Sequence, residues 1–98
     1  MEKRVQFSIF STNLSTRNLG AIIRESFISD LKNGNKVIFD LSNIESISNS
    51  FADECFGKLL ISYQVNDLKS ITSFANTTPF IKDTILFALN IRLKDLVC

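Results

Sequence analysis

The 98-residue sequence contains no histidine and no tryptophan, and it has only three glycines and two cysteines. The absence of histidine excludes Ser-His and Cys-His nucleophile pairs and every metal site built on imidazole. The glycines, at positions 20, 34 and 57, are too far apart to form a glycine-rich phosphate loop or a dinucleotide-binding fingerprint. We therefore recognise no catalytic constellation, and we predict that the protein is not an enzyme and has no metal and no cofactor.

The charge is nearly balanced, because 11 basic and 10 acidic residues leave a net charge of +1. Such a balance gives no electrostatic signature of nucleic acid or of an acidic membrane surface, so we predict neither as a partner. Cys55 and Cys98 are too few for a disulfide framework, and free thiols fit a reducing compartment. With no recognisable signal peptide and no apolar run long enough to cross a bilayer, we expect a cytoplasmic protein.

Hydrophobic periodicity predicts one small α/β domain over residues 1–98, with elements in the order β-α-β-α-β-α. Residues 5–10 alternate apolar and polar side chains, which is typical of a strand near a sheet edge. Residues 37–41 are almost continuously apolar, which places them at the centre of a mostly parallel sheet with helices packed on both faces.

Capping residues predict where the helices begin. Ser50 stands three residues before Asp53, as in a capping box, so we predict Ser50 as the N-cap of the second helix. Thr78 before Pro79 predicts the start of the third helix. That helix would end near residue 90. The segment 91–98 then fits either a short final strand or a short helix from Leu93 onward.

Polar segments follow the predicted strands at the edge where strand C-termini and helix N-termini meet. Residues 13–17, 42–50 and 76–78 would gather there, and each segment is rich in Ser, Thr and Asn. Helix N-termini favour anions, so one interpretation is a phosphate-bearing ligand or a phosphorylated hydroxyl. The other is that these residues only cap their helices. Asp40 likewise either accepts hydrogen bonds from loop N–H groups or contacts a ligand or partner.

The middle of the chain resembles a known family. Residues 37–42 read Val-Ile-Phe-Asp-Leu-Ser, residues 44–47 read Ile-Glu-Ser-Ile, and residues 50–54 read Ser-Phe-Ala-Asp-Glu, followed by Phe56-Gly57. This pattern is similar to the STAS domain, and most of all to the STAS-like family of unknown function. It resembles the bacterial anti-sigma factor antagonists more distantly. The likeness is good over residues 36–60 and weaker over residues 15–31.

The resemblance implies a STAS-like fold and a regulatory role in protein–protein interaction. Antagonist STAS domains bind a serine kinase with a histidine-kinase-type ATPase fold, which phosphorylates a serine at the start of the helix after the central strand. In this chain that position is Asn49, so Ser50 or Ser48 would have to substitute as the acceptor.

We predict that residues 42–54 bind a protein partner, such as a histidine-kinase-like ATPase. Phe51 either anchors that interface as an exposed aromatic side chain or packs against Ile44 or Ile47. The alternative function is binding of a small molecule or nucleotide at the same edge, with Arg17 on the anion. A homodimer through the first strand is also open. The predicted partner-binding residues are Arg17, Asp40, Ser48, Asn49, Ser50, Phe51, Asp53 and Glu54, of which Ser50 and Ser48 are the candidate phosphorylation sites.

Overall fold

Five strands form two parallel sheets in the computed structural model, which describes the backbone of residues 1–97 and the side chains of residues 1–95. The strands are β1 (Glu2–Gln6), β2 (Asn13–Leu14), β3 (Lys36–Asp40), β4 (Ser46–Ile47) and β5 (Thr72–Ala75). The main sheet has the order β1-β3-β5, and β2 pairs with β4 beside it. The predicted parallel sheet is confirmed, with the apolar strand at its centre and the first strand at its edge.

Four helices pack on this sheet in the described part of the chain. They are α1 (Arg17–Lys32); a central helix over residues 49–62, which consists of α2 (Asn49–Ala52), a π-helical turn (Asp53–Gly57) and α3 (Leu59–Ser62); α4 (Val65–Ile71); and α5 (Pro79–Val97). Thr78 caps α5 as predicted, because its hydroxyl accepts a hydrogen bond from the Ile81 N–H. Among these helices none is long and apolar enough to cross a membrane.

The helices cover one face of the main sheet. The ring of Phe39 in β3 lies 5.0 Å from Phe27 of α1 and 5.1 Å from Phe56 of the central helix, measured between centroids. Side chains alternate between faces along a strand. The opposite face therefore carries Arg4 and Ile38, which lie side by side in register, and Arg4 is exposed there. The prediction that helices cover both faces of the sheet is therefore wrong. On the face opposite Phe39, the polar residues of β1 and β5 are open to solvent.

Three boundaries differ from the sequence predictions, and β2, β4 and α4 are additional to the predicted β-α-β-α-β-α order. β1 ends at Gln6, and the next three residues form a 3₁₀ turn that buries Phe7 but exposes Ile9. Ser48, rather than Ser50, is the N-cap of the central helix, since its Oγ accepts from the Phe51 N–H at 3.0 Å. Finally, α5 continues without a break to Val97, so the predicted end near residue 90 is wrong and the helical alternative is correct for residues 93–97, while Cys98 lies outside the described residues.

Candidate functional site

The polar segments predicted to meet at one sheet edge make two separate sets of contacts. Beside the β2–β4 pair, Ser48 Oγ donates to the Ser15 carbonyl at 3.0 Å and Ser46 Oγ donates to Asn13 Oδ1 at 2.8 Å. The loop after β5 instead turns to β3, where Asn76 donates to Asp40 Oδ1 at 3.0 Å. Residues 13–17 and 42–50 are therefore joined directly, whereas residue 76 belongs to a second cluster.

Asp40 is the centre of that second cluster. Its carboxylate accepts hydrogen bonds from the Asn76 amide, the Ser42 N–H and Arg4 Nε, each at 3.0 Å. These donors, with Asn76 the strongest, hold the pKa of the Asp40 carboxyl well below its usual range. The interpretation of Asp40 as a carboxylate bound by its own loop is confirmed. The side chain joins β1, β3 and the loop after β5.

Asp53 bridges two helices through a pair of arginines. It accepts from Arg17 Nη1 at 2.7 Å, and from Arg92 Nε at 2.7 Å and Nη2 at 2.9 Å. The two bonds from Arg92 are the main reason that the pKa of Asp53 falls to about 2, with Arg17 adding to the effect. In return, Asp53 raises the pKa of both arginines. This carboxylate therefore fixes α1 and α5 against the central helix.

Glu54 forms a second set of ion pairs within the same network. Its carboxylate lies 2.9 Å from Arg24 Nη1, 3.1 Å from Lys58 Nζ and 3.5 Å from Arg17 Nη1. Arg24 also donates to the backbone carbonyl of Glu54. Burial alone would raise the pKa of Glu54, but the bonds from Arg24 and Lys58 outweigh burial and lower it. Glu54 is therefore buried, and its carboxylate forms ion pairs within the domain, although we predicted Glu54 as a partner-binding residue.

The π-helical turn allows these two adjacent acids to face different helices. The Lys58 N–H donates to the Asp53 carbonyl at 2.9 Å, which is the five-residue bond that defines a π turn. Two glycines make room for it. A Cβ atom on Gly20 would lie 3.0 Å from Glu54 Cβ, and one on Gly57 would lie 2.7 Å from Asp53 Oδ1. A side chain at either position would displace the network.

Phe51 is fully buried, with 0% of its surface exposed. Its ring packs edge-on to Phe7 and Phe56, at centroid distances of 6.3 and 6.5 Å. The hypothesis of an exposed aromatic anchor at this position is wrong. Because the helix is capped by Ser48, Phe51 falls on the apolar face that also carries Cys55, rather than at an exposed first position.

Several exposed apolar side chains lie on α5, for which the sequence predicted no partner-binding residue. Phe80, Phe87 and Ile91 are exposed, and their spacing of seven and four residues places them on one side of the helix. The sequence does indicate this exposed surface, because the apolar residues of α5 are not confined to the buried face that carries Ile81 and Ile85.

A pocket of about 320 Å³ opens between α5 and the first turn of the central helix; we call it the α2–α5 pocket. Asn49 and Ser50 line one side of it, and Phe87 and Ile91 line the other. Its charged residues balance, since Arg17 and Arg92 are matched by Asp53 and Asp95. Of the predicted site residues, the pocket brings together Arg17, Asn49, Ser50 and Asp53, whereas Asp40, Ser48, Phe51 and Glu54 do not line it.

The family model for the STAS-like domain of unknown function (DUF4325) matches residues 20–82. The chain belongs to this STAS-like family. The match covers β3, the whole central helix and β5, but it leaves out Arg17 and the part of α5 that lines the pocket. No curated protein and no solved structure matches the chain. The resemblance drawn from the sequence is therefore confirmed at the level of the family.

In this STAS-like domain the two candidate serine acceptors differ in their surroundings. The Ser48 hydroxyl is engaged twice, since it accepts from the Phe51 N–H and donates to the Ser15 carbonyl. The Ser50 side chain is exposed and makes no hydrogen bond within the described residues. Ser50 is therefore the more accessible hydroxyl at the start of the central helix.

Three acidic side chains of the STAS-like domain are poorly suited to proton transfer. Asp40, Asp53 and Glu54 all have lowered pKa values because each is held by cationic or amide donors, so they stay ionised near neutral pH. Burial raises the pKa of the Cys55 thiol, which removes thiolate character. Within residues 1–97, no cluster of three His, Cys, Asp or Glu side chains is placed to hold a metal ion.

Proposed function

We propose that this STAS-like domain is a non-enzymatic interaction module that binds a protein partner at the α2–α5 pocket. The observation that carries the proposal is the exposure of Phe87 (54%) and Ile91 (43%) in a pocket wall that faces Asn49 and Ser50. Large exposed apolar side chains rimmed by polar groups are typical of protein interfaces.

The charge network supports the proposal because it organises this surface in advance. Arg92 is held in two hydrogen bonds by Asp53, so little side-chain entropy remains to be lost there on binding. Arg17 keeps more than half of its side-chain surface exposed, and a guanidinium has further N–H donors to offer. A partner would therefore meet a rigid rim with an apolar wall.

The partner that we propose is a histidine-kinase-like ATPase. Its support is the membership of the STAS-like family, together with the resemblance of residues 37–57 to the anti-sigma factor antagonists. If that partner is also a kinase, Ser50 is the acceptor that we propose, because its hydroxyl is exposed and lines the pocket. A phosphate there would add about two negative charges, which compete with Asp53 for Arg17 and change the docking surface.

We also propose a cytoplasmic location for the protein. The free, buried thiol of Cys55 supports it, because free thiols are typical of a reducing compartment.

Partner capture with matched variants tests the docking surface. The tagged domain is incubated with lysate of the source cell, and captured proteins are quantified by mass spectrometry beside Phe87→Asp and Phe80→Asp. Both residues are exposed phenylalanines of α5, but only Phe87 lines the pocket. We expect an ATPase of the histidine-kinase type to be retained by Phe80→Asp and reduced about tenfold or more by Phe87→Asp. Equal capture by both variants would contradict the proposed surface.

A second experiment separates docking from phosphorylation. The captured ATPase is incubated with ATP and the domain, and the intact mass of the domain is measured. We expect one added phosphate on the wild type and on an Asn49→Ala control, and none on Ser50→Ala. A phosphate that persists in Ser50→Ala would refute the switch at that serine but leave the docking proposal standing.

Nucleotide binding at the same pocket is the second candidate function. It is favoured by the presence of Arg17, Arg92 and Ser50 in a space that is large enough for a small ligand. It is opposed by the charge balance, because Asp53 occupies both arginines and would repel a polyphosphate. A nucleotide at 100 times its Kd would stabilise the domain by about 2.7 kcal/mol, so thermal unfolding with ATP and GTP decides the question.

A further inference from the structure

A second pocket, of about 180 Å³, lies beneath β5 and shares no lining residue with the α2–α5 pocket. Its walls come from β3, the central helix, α4 and α5. These walls are almost wholly apolar. The lining side chains that are buried are Phe39, Phe56, Leu59, Leu60 and Leu68. We call it the β5 pocket.

Phe74 and Leu86 stand at the mouth of the β5 pocket. Both also line an adjoining pocket of about 260 Å³, which reaches Thr77 and Lys82. The two side chains are 41% and 45% exposed, so they touch solvent on one side and the apolar interior on the other. The inner apolar space therefore opens into an outer space that is more polar.

The charged side chains along these two pockets have one sign. Lys69 lines the β5 pocket and Lys82 lines the outer one, and no Asp or Glu lines either. Both lysines are exposed, and neither takes part in a salt bridge among residues 1–95. This contrasts with the α2–α5 pocket, where acids balance the arginines. The surroundings of the β5 pocket thus favour a negatively charged group at the mouth.

We propose that the two adjoining pockets bind one amphipathic carboxylate, with its apolar tail beneath β5 and its carboxylate beside Lys82. A dry apolar cavity of about 150 Å³ accepts a molecule of benzene, which has six carbons, so the β5 pocket fits a tail of about six to eight carbons. A tail that fills the pocket restores the dispersion contacts that its lining otherwise lacks. The long flexible side chain of Lys82 reaches a carboxylate at the mouth without a fixed geometry.

Titration calorimetry of the full chain with sodium octanoate tests the proposal, at concentrations far below micelle formation. We expect binding of one octanoate per domain. Hexanoate lacks two methylene groups, each worth about fourfold in affinity, so we expect it to bind about fifteenfold more weakly. Octyltrimethylammonium, which has the same tail and the opposite charge, should not bind. Absence of octanoate binding, or equal binding of the cation, would overturn the proposal.

Three variants locate the site. Leu86→Trp places an indole at the mouth of a protein that has no tryptophan, so it both obstructs the pocket and reports its own burial by fluorescence. We expect it to abolish octanoate binding, and Lys82→Gln to weaken binding of octanoate several-fold but not of octanol. Lys94→Gln, an exposed lysine of the same helix that lines neither pocket, is the control. Octanoate that binds Lys82→Gln and the wild type equally would refute the site. If Leu86→Trp does not fold, the comparison of Lys82→Gln with the wild type still tests the proposal.

Discussion

Asp53 should contribute substantially to the stability of the domain through its charge. Replacing it by asparagine keeps the shape of the side chain but removes the negative charge that faces Arg17 and Arg92. Both arginines then lose their charge-assisted bonds to Asp53. Arg17 keeps its contact with Glu54 at 3.5 Å, but Arg92 is left three-quarters buried without a salt bridge among residues 1–95. Asp53→Asn therefore removes the ion pairs by which Asp53 connects the central helix to α1 and α5.

The size of the effect follows from the pKa of Asp53. Its fall from 3.8 to about 2 on folding corresponds to about 2 kcal/mol of unfolding free energy at neutral pH, because each pKa unit is worth about 1.36 kcal/mol. The side chain of Asp53 is only 18% exposed, so solvent screening reduces this value little. For a domain with a urea m-value of about 1–3 kcal/mol/M, the midpoint should fall by about 1 M.

The dependence on pH gives the sharper test. Because the pKa of Asp53 is lower in the folded state, its contribution is fully present above about pH 4 and disappears as the pH falls towards 2. Urea unfolding followed by circular dichroism should show a constant gap between wild type and Asp53→Asn from pH 7 to 5, which closes by about pH 2. Asp83→Asn, at an exposed position of α5, should stay within about 0.5 kcal/mol of wild type. A gap below 0.5 kcal/mol at pH 7, or one that persists at pH 2, would refute the reasoning.

Three further predictions test the structure around this network. Ser48→Ala should lower the unfolding free energy by about 1–2 kcal/mol because it removes the helix cap. Ser50→Ala should change the unfolding free energy by less than about 0.5 kcal/mol. Urea unfolding distinguishes the two variants, and a larger loss in Ser50→Ala would restore Ser50 as the cap. Gly20→Ala should lose about 1–3 kcal/mol by the same measurement, because its Cβ meets the Phe51 carbonyl at 3.1 Å; a gain in stability, as helix propensity alone predicts, would contradict this packing. In a Cys98→Ser background, Cys55 should react with a thiol reagent only after denaturant is added, since it is buried with a raised pKa; fast labelling of the native protein would show otherwise.

The sequence was informative where one short segment decides the structure. The apolar run of β3 is sufficient to place that strand at the centre of a parallel sheet, and the Thr78-Pro79 pair is sufficient to start α5. The cap of the central helix is different, because Ser48 and Ser50 are the same residue type two positions apart. The contact that distinguishes them is made by Ser48 with the Ser15 carbonyl, 33 residues away in the chain. An error of two residues in the cap then changed the predicted environment of Phe51.

The π-helical turn was hidden for the same reason. Its apolar residues recur at a spacing that also fits an ordinary α-helix, so hydrophobic periodicity does not separate the two. What accompanies the wider turn is Asp53 bound to arginines that lie 36 and 39 residues away, Arg17 and Arg92. Neither partner is recognisable from residues 49–62 alone, since exposed arginines are common on α-helices.

These long-range contacts also connect the fold to the proposed docking surface. Arg92, which is bound to Asp53, directly follows Ile91 and lies five residues after Phe87, so the same ion pair that stabilises the domain sets the position of the apolar pocket wall. The family match ends at residue 82 and therefore includes Asp53 but neither Phe87 nor Ile91. The match thus includes Asn49, Ser50 and Asp53 of the pocket, while the residues that we expect to select the partner lie on α5 beyond it. It follows that Arg92→Gln should weaken partner binding even though Arg92 is held inside the domain, and that Lys94→Gln, at an exposed residue of the same helix that does not line the pocket, should not.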